Sequence, residues 1–388
     1  MTHAAALSAF AAGALLIGYT YIGYPLVLWV WSRLRARPVR RGEYQPRLSV
    51  IVAMHNEARV IAEKCRNLLA LDYPEHLLEI VVVSDGSTDG SAERVRALRG
   101  SRLRLVEYAP RRGKAWALNC GVDKATGEIL LFTDARQALP ADAARRLAEN
   151  FADPEVGAVS GELKFFTETS AFGGALSRYW SYEKWVRRTE SEIDSVCGVT
   201  GCLWAMRREL YTEAPEGLIL DDVFQPMEVV RRGRRVVFDA RAVAFDQPSE
   251  NPEIEYQRKR RTLLGNYQLL KLSPWILRGQ NRIRFQFLSH KVCRLLVPVA
   301  LLAVFVSSFL LEGIFFRGLF YAQLAFYVLG LLERWLPAGT ALRKLAALSS
   351  FFTVVHVSAL AGFARWLAGA QDVWSKPSSR GAQPARHP

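Results

Sequence analysis

The chain has 388 residues, and its 51 lysines and arginines against 37 aspartates and glutamates give a formal net charge of +14 at pH 7. Half of the residues are apolar and 23% are charged, which excludes an intrinsically disordered or fibrous protein. No known nucleic-acid-binding motif accompanies the basic balance, so we expect the excess charge to lie against membrane lipids and expect no nucleic-acid partner. The five cysteines form no C-x-x-C pair, which predicts neither structural disulfides nor a zinc motif.

Charge-free apolar runs lie near both ends of the chain. Residues 2–32 are long enough to span a membrane, and the arginines that follow them belong on the cytoplasmic side. Residues 1–32 are therefore predicted to be an uncleaved transmembrane anchor whose amino terminus faces outward. Three further runs approach spanning length: 295–311, 318–332 and 345–364. They predict three spans within residues 295–370, although the last run also fits a buried or re-entrant helix.

Two shorter stretches complete the predicted layout. Residues 282–294 mix phenylalanines with basic side chains, which is typical of an amphipathic helix in the membrane interface. Residues 375–388 are a polar tail.

The block between the first and second spans, residues 46–275, alternates short β-branched runs with apolar residues at helical spacing. Strands are predicted at 48–53, 79–83, 103–107 and 128–133, and helices at 60–69, 91–98, 114–122 and 141–151. This alternation predicts an α/β fold with a mainly parallel sheet covered on both faces. Beyond residue 156 the pattern is more mixed, with helices predicted at 175–190 and 222–230 and short strands at 236–238 and 242–245.

Ligands of such sheets bind at the carboxyl ends of the strands. Carboxylates, glycines and a lysine follow the predicted strands at 54–57, 84–90, 110–114 and 134–137. These groups suit a phosphorylated ligand with a divalent cation, because hard oxygen ligands hold Mg²⁺ or Mn²⁺ and Lys114 can neutralise phosphate. A P-loop is excluded, since Tyr108 and Ala115 occupy positions that it reserves for Gly and Ser or Thr, and no G-x-G-x-x-G follows the first strand.

Seven short motifs occur in a fixed order along this block. They are V-A-M-H-N-E at 52–57, V-S-D-G-S-T-D-G at 83–90, R-G-K-A at 112–115 with L-N at 118–119, F-T-D-A at 132–135, G-V-T-G at 198–201, L-D-D at 220–222 and Q-R-K-R at 257–260. In this order and spacing, between apolar runs, they resemble the family 2 glycosyltransferases. These are membrane-embedded inverting enzymes that include cellulose, chitin, hyaluronan and poly-N-acetylglucosamine synthases.

The resemblance implies a GT-A fold, flanked by transmembrane helices, that transfers a sugar from a nucleotide donor, usually a UDP-sugar, with inversion at the anomeric carbon. It implies that Asp222 is the catalytic base and that Asp221 beside it raises its pKa. The implied nucleotide-sugar-binding residues are Ala53, His55, Glu57, Asp85, Lys114, Asp134 and Arg136, with Asp134 also the ligand of a Mg²⁺ or Mn²⁺ ion. Gly201, Gln257 and Arg260 are implied on the acceptor and diphosphate side.

The chain departs from the family pattern at two positions. Arg136 stands where the D-x-D motif would place its second carboxylate, so either Asp134 and the donor phosphates hold the cation, or Arg136 supplies charge to the diphosphate and metal dependence weakens. We expect the cation to be retained. Arg261 stands where processive synthases carry the Trp that stacks on the acceptor, which favours a lipid-linked or short-glycan acceptor over a growing polymer. Trp180, Trp185 and Trp204 are alternative stacking residues, although buried aromatic residues more often belong to a core.

The hypothesis is a multi-pass enzyme of the bacterial inner membrane, with a cytoplasmic catalytic domain, that builds exopolysaccharide or another cell-surface glycan. Its expected partners are a nucleotide-sugar donor, a glycan or polyprenyl-linked acceptor, membrane lipids and other subunits of a polysaccharide synthesis complex. The alternative is a non-catalytic membrane subunit that binds nucleotide-sugar through a degenerate domain. Asp85 and Asp89 also fit turn and helix-cap positions, and the Asp221-Asp222 pair also fits a helix cap.

Overall fold

The computed structural model describes residues 2–98, 100, 102–165, 171–247 and 252–369. The predicted polar tail at 375–388 and the last residue of the predicted segment 295–370 lie outside these residues. The strands are β1 (Leu48–Met54), β2 (Leu78–Asp85), β3 (Leu103–Tyr108), β4 (Ile129–Thr133), β5 (Val156–Phe165), β6 (Leu203–Arg207) and β7 (Arg235–Asp246). The helices are α1 (His3–Gly18), α2 (Tyr24–Leu34), α3 (Ile61–Leu69), α4 (Ser91–Arg96), α5 (Lys114–Lys124), α6 (Ala143–Ala148), α7 (Ala171–Ile193), α8 (Asp221–Arg231), α9 (Pro252–Leu272), α10 (Arg284–Phe287), α11 (Cys293–Leu310), α12 (Ile314–Leu332) and α13 (Ala341–Leu367).

The seven strands form one sheet in the order β3-β2-β1-β4-β6-β5-β7. Strands β1, β2, β3 and β4 are mutually parallel, β5 is parallel to β7, and β6 runs antiparallel to both β4 and β5. The predicted mainly parallel sheet is therefore confirmed. Every residue of β1 is buried, because separate apolar clusters cover the two faces of the sheet.

The second half of the sheet differs from the sequence prediction. The mixed pattern beyond residue 156 did not identify β5 or β6, although both are largely buried. The two short strands predicted at 236–238 and 242–245 are one strand, β7, whose pairing with β5 shifts register near its middle. A register shift disturbs the alternation of buried and exposed residues, which explains why the sequence resembles two strands.

Within the described residues, four helices are long and apolar enough to cross a membrane: His3–Leu34, Arg284–Leu310, Ile314–Trp335 and Ala341–Leu367. Their number and order match the four predicted spans. Most of the amphipathic stretch predicted at 282–294 forms the first part of the second of these helices, which continues without a break to Leu310. α1 packs against α11 at Gly13, where a Cβ would lie 2.8 Å from Val304 Cγ2, and small residues are typical of close helix contacts in membranes.

α13 packs against the α/β domain as well as against α12. It runs along α9, where a Cβ on Gly362 would lie 3.1 Å from the backbone nitrogen of Leu264 and 3.2 Å from the carbonyl oxygen of Arg260. Its middle contacts α7, where the rings of Phe351 and Tyr179 are 5.5 Å apart. α13 therefore combines spanning length with an interface to the domain, and the spanning and re-entrant interpretations both stay predictions.

Candidate active site

The carboxyl ends of β1, β2, β3 and β4 share one edge of the sheet because these strands are parallel. The segments predicted to carry the ligand-binding groups follow these four ends directly. Ala53 is buried within β1, whereas His55 and Glu57 lie just beyond β1 and are partly exposed. His55 Nδ1 lies 2.7 Å from the carbonyl oxygen of Asp85, so the ends of β1 and β2 are joined at the edge.

Asp85 is fully buried at the end of β2 and organises the loop before α5. Its carboxylate accepts hydrogen bonds from the backbone N–H groups of Arg112 (2.7 Å) and Gly113 (2.9 Å). Gly113 has a φ of +96°, a backbone conformation that favours glycine and turns the chain into α5. Asp85 thus fixes the direction in which Lys114 leaves the sheet edge. The role of Asp85 and Glu57 in binding the nucleotide-sugar stays a prediction.

Lys114, the first residue of α5, joins two acidic positions. Its Nζ lies 3.1 Å from Asp134 Oδ1, beyond the end of β4, and 3.6 Å from Asp221 Oδ2, at the start of α8. Burial disfavours the charge on this amine, but the carboxylates of Asp134, Asp221 and Asp222 outweigh it and raise the pKa of Lys114 above its usual value. The site therefore contains a fixed cation between carboxylates of two separate elements.

Asp221 and Asp222 form the first turn of α8, and the two side chains have different surroundings. Asp221 is buried beside Lys114, whereas Asp222 is partly exposed. Desolvation, followed by the charge of Asp221, raises the pKa of Asp222 to about 6, although Lys114 opposes this increase. A carboxyl group with this pKa is mostly ionised at neutral pH and accepts a proton more readily than an ordinary aspartate.

The loop at 198–201 lies directly against Asp222. The N–H of Val199 donates to the carbonyl oxygen of Asp222 at 2.8 Å. A Cβ on Gly201 would lie 3.2 Å from Asp222 Oδ2, which is tighter than ordinary contact. Glycine at position 201 therefore leaves room for the carboxylate in its present position.

Arg136 is paired with an acid that the sequence analysis missed. Its guanidinium donates to Asp246 Oδ2 at the end of β7, and Gln137 Nε2 donates to the same oxygen at 2.8 Å. β7 is parallel to β5, and the antiparallel strand β6 lies between β5 and β4, so β7 ends at the same edge as β4. The place of Asp246 directly after the last predicted strand could have included it among the site residues, although that place does not identify Arg136 as its partner.

Lys64 is a second residue that the sequence analysis missed. It is buried beneath the segment after β4, where its Nζ donates to Thr133 Oγ1 (2.9 Å) and to the carbonyl oxygen of Gln137 (2.7 Å). These two bonds hold the ends of the segment that carries Asp134 and Arg136. No local pattern distinguishes Lys64 from the exposed lysines of other amphipathic helices.

Gln257 and Arg260, which the resemblance places on the acceptor and diphosphate side, both lie on α9. Gln257 Nε2 donates to Glu253 Oε1 at 2.7 Å, and the Arg260 guanidinium lies 5.6 Å from the centre of the Tyr256 ring. α9 touches the segment before α8 at Gly265, where a Cβ would lie 2.6 Å from Leu220 Cγ. This contact joins the helix of the Q-x-x-R motif to the residue that precedes Asp221.

The three tryptophans considered for acceptor stacking have different environments. Trp204 is fully buried in β6 and stacks on Phe132 at 4.2 Å, so it belongs to the core. Trp185 is exposed on α7. Trp180 lies near the ammonium group of Lys259 on α9, which is 5.7 Å from the ring centre.

At the sheet edge, Asp134 offers a partly exposed carboxylate of the kind that Mg²⁺ and Mn²⁺ bind. Lys114 occupies its Oδ1, so a cation there would take most of its ligands from donor phosphates and water. Asp134 therefore fits a metal that is held jointly with a phosphorylated substrate.

Comparison with known proteins relates this domain to a known family. The model of the family described as "Glycosyl transferase family 2" matches residues 49–214, which run from β1 to just beyond β6. The chain carries a family 2 glycosyltransferase domain. The matched residues of this family 2 domain include the predicted donor-side positions and Gly201, whereas Asp221, Asp222 and α9 lie beyond them.

The family 2 domain resembles exopolysaccharide synthases in sequence. The chain is 25% identical over 229 residues to the poly-beta-1,6-N-acetyl-D-glucosamine synthase of Staphylococcus aureus strain COL, and 24% identical over 234 residues to that of Staphylococcus epidermidis. These alignments cover 58% and 59% of the chain and 55% and 56% of the two relatives. The chain thus matches about half the length of these curated relatives.

A solved structure matches nearly the whole chain. The mannosyltransferase of Pyrobaculum calidifontis, solved with GDP-Man and Mn²⁺, is 26% identical and superimposes with a TM-score of 0.72 over 92% of this chain and 99% of that one. A match of this extent includes the apolar helices as well as the family 2 domain. It agrees with the predicted architecture of a GT-A domain flanked by transmembrane helices.

Proposed function

We propose that the chain transfers a sugar from a nucleotide-sugar donor to an acceptor hydroxyl at the membrane surface, with inversion at the anomeric carbon. The observation that carries this proposal is the close placement of two groups. Asp222 is a partly exposed carboxyl with a raised pKa, and Lys114 is a fixed cation that contacts Asp221, the residue next to Asp222. One group accepts a proton and the other neutralises negative charge, and glycosyl transfer to a hydroxyl needs both.

The reaction is a single displacement. Asp222 takes the proton of the acceptor hydroxyl while the acceptor oxygen attacks the anomeric carbon from the side opposite the diphosphate. The bond between that carbon and the diphosphate oxygen breaks, and its electron pair leaves with the nucleoside diphosphate. Lys114 stabilises the departing negative charge, and Gly201 keeps the carboxylate of Asp222 free to face the acceptor.

The domain fits a divalent cation held through Asp134. Such a cation supplies positive charge to the donor diphosphate when it is bound. The solved mannosyltransferase carries Mn²⁺, which supports this assignment. Because Asp246 already pairs with Arg136, we infer that Arg136 supplies only part of its charge to the diphosphate and that the cation remains necessary.

Two donor classes are supported. The S. aureus and S. epidermidis relatives are synthases of an N-acetylglucosamine polymer, and the sequence resemblance favours a UDP-sugar. The mannosyltransferase, which resembles the chain over a greater length, was solved with GDP-Man. We propose a UDP-sugar donor, with a GDP-sugar as the second candidate.

The acceptor is proposed to be a polyprenyl-linked sugar or a short glycan in a surface-glycan pathway, bound where α9 meets α13. The contact of Gly265 with Leu220 brings α9 against the start of α8, and Gly362 brings α13 against α9. A membrane-proximal acceptor bound beside these helices would therefore lie near the start of α8, which carries Asp222. We further propose that the chain is a multi-pass inner-membrane protein whose residues 46–275 face the cytoplasm.

The test is a donor panel. Purified full-length protein in detergent is incubated with Mn²⁺ and one donor: UDP-GlcNAc, UDP-Glc, UDP-Gal or GDP-Man. Each donor is combined with polyprenyl-phosphate-linked or oligosaccharide acceptors, and release of nucleoside diphosphate is measured. We expect release from one donor that depends on the acceptor. Binding of a donor without release, with every acceptor, would favour the alternative of a non-catalytic subunit.

A further inference from the structure

A buried group of three possible metal ligands lies away from the sheet edge. Glu190 on α7, Cys197 in the loop before β6 and His290 in the helix that begins at Arg284 place one ligand atom each within 4.8 Å of one another, and all three residues are buried. We propose that these three residues bind one zinc ion. Carboxylate, thiolate and imidazole are all established ligands of zinc, whereas Mg²⁺ and Mn²⁺ disfavour the thiolate.

The surroundings of His290 match those of a metal-binding histidine. Its Nδ1 faces Glu190 Oε1 at 2.8 Å, on the side of the proposed ion. Its Nε2 lies 3.0 Å from Glu183 Oε1, and Arg294 donates to the other oxygen of Glu183 at 2.6 Å. Metal-bound histidines usually donate their second N–H to a carboxylate, which fixes the orientation of the ring.

Glu190 carries a polar atom that lacks a partner. Tyr24 donates to Glu190 Oε1 at 2.5 Å, but Glu190 Oε2 is buried without a hydrogen-bond partner among the described residues. Buried polar atoms are nearly always hydrogen-bonded, and a carboxylate oxygen in this position is an available ligand. Oε2 is therefore either the zinc-bound atom of Glu190 or the atom that orients a zinc-bound water.

Zinc displaces protons from the ligands that it binds. Imidazole binds the ion through a nitrogen that carries no proton, and cysteine binds it as the thiolate. The displaced protons offset positive charge that the ion brings, which limits the cost of burying it in a protein interior.

The geometry requires a small closure. Zinc–ligand bonds of about 2.0–2.3 Å place tetrahedral ligand atoms roughly 3.3–3.8 Å apart, so the most distant pair would approach by about 1 Å. The proposal requires the Cys197 or Glu190 side chain to rotate by that amount. The bound ion would then fix Cys197, and with it the adjacent loop whose Val199 donates to the backbone of Asp222. Zinc would thus join α7, a membrane helix and the loop against Asp222.

The first test measures zinc content. Full-length protein with a histidine-free affinity tag is purified in detergent without chelator and analysed by inductively coupled plasma mass spectrometry. We expect about one zinc per chain in the wild type and at least a tenfold reduction in Cys197→Ser and His290→Gln. The matched control is Cys293→Ser, which removes a thiol one helical turn from His290 and should keep the wild-type zinc content.

The second test uses Co²⁺ as a spectroscopic probe and does not depend on activity. Wild-type protein depleted of metal is titrated with CoCl₂, and we expect a thiolate-to-cobalt charge-transfer band. The band should be retained in Cys293→Ser and absent from Cys197→Ser. If the serine variant does not fold, Cys197→Ala takes its place. A wild type with less than about a tenth of a zinc per chain and no such band would overturn the proposal. Zinc content unchanged in both ligand variants would overturn it equally, because the ion would then lie elsewhere.

Discussion

Asp222→Asn separates the proposed catalytic role of this carboxyl from a structural one. The substitution keeps the size of the side chain and removes both its charge and its ability to accept the acceptor proton. If Asp222 is the base, activity should fall by roughly 10²–10⁴-fold, which is the usual contribution of a general base. The same substitution should make the protein more stable, because the native structure disfavours the charge on Asp222.

The size of the stability effect follows from the pKa. An increase in the pKa of Asp222 from 3.8 to about 6 corresponds to ~3 kcal/mol. A carboxyl whose folded pKa exceeds its unfolded pKa destabilises the fold when it ionises. The penalty is therefore absent well below pH 4, grows between about pH 4 and pH 6, and is fully developed above pH 6. We expect Asp222→Asn to gain about 1–3 kcal/mol at pH 7.5, less whatever the amide loses in hydrogen bonding.

The assay is thermal unfolding in detergent at pH 7.5 and pH 4.5, together with nucleoside diphosphate release. The gain in stability should be present at pH 7.5 and shrink at pH 4.5. Asp239→Asn is the matched control: despite burial, hydrogen bonds from Arg241 and Asn150 lower the pKa of Asp239, so its loss should destabilise the protein. An Asp222→Asn protein that is less stable than wild type at pH 7.5, or fully active, would refute the reasoning.

Three further predictions concern the same site. Gly201→Ala should reduce activity about tenfold by displacing the Asp222 carboxylate a few tenths of an ångström, whereas Gly279→Ala, where a Cβ meets no atom within 4 Å, should match wild type in nucleoside diphosphate release. Lys114→Met should weaken binding of the nucleoside diphosphate about 10–100-fold by calorimetry, because a charge-assisted contact of ~1.5–3 kcal/mol is lost; unchanged affinity would remove Lys114 from the site. Wild-type kcat/KM should fall below about pH 6 as Asp222 becomes protonated, and a flat acid profile would contradict its role as the base. EDTA should abolish activity and Mn²⁺ should restore it, whereas activity that resists the chelator would contradict the proposed cation.

The first half of the fold was predictable because each element leaves a local pattern. Parallel strands such as β1 are buried on both faces and appear as unbroken β-branched runs. In the second half, β6 is antiparallel between parallel neighbours and β7 shifts register, so neither the alternation nor the spacing of the first half applies. The four apolar helices were predictable from the absence of charge alone.

The candidate site was predictable where its residues directly follow strands or lie in contiguous motifs. Lys114 and Asp134 follow different strands, and their contact agrees with the expectation that the segments after the strands share an edge. Asp221 reaches Lys114 from α8, and only the family motif indicated this residue. Residues that act by pairing across the fold were not predictable. Asp246 meets Arg136 from 110 residues away, and no local pattern identifies it as a partner.

The buried group around His290 shows the same limit. No metal-ligand spacing along the chain marks a partner for this histidine, because Glu190 and Cys197 are 100 and 93 residues away from it. Their proximity depends on how α7 packs against the membrane helix. Only the tertiary structure supplies that information.

The central claim is a single displacement in which Asp222 activates the acceptor, and the anomeric configuration of the product tests it most directly. Product formed from the donor that the panel identifies is isolated and its anomeric proton coupling is measured by NMR. A configuration opposite to that of the donor is the predicted result. A product that retains the configuration of the donor would contradict the proposed mechanism.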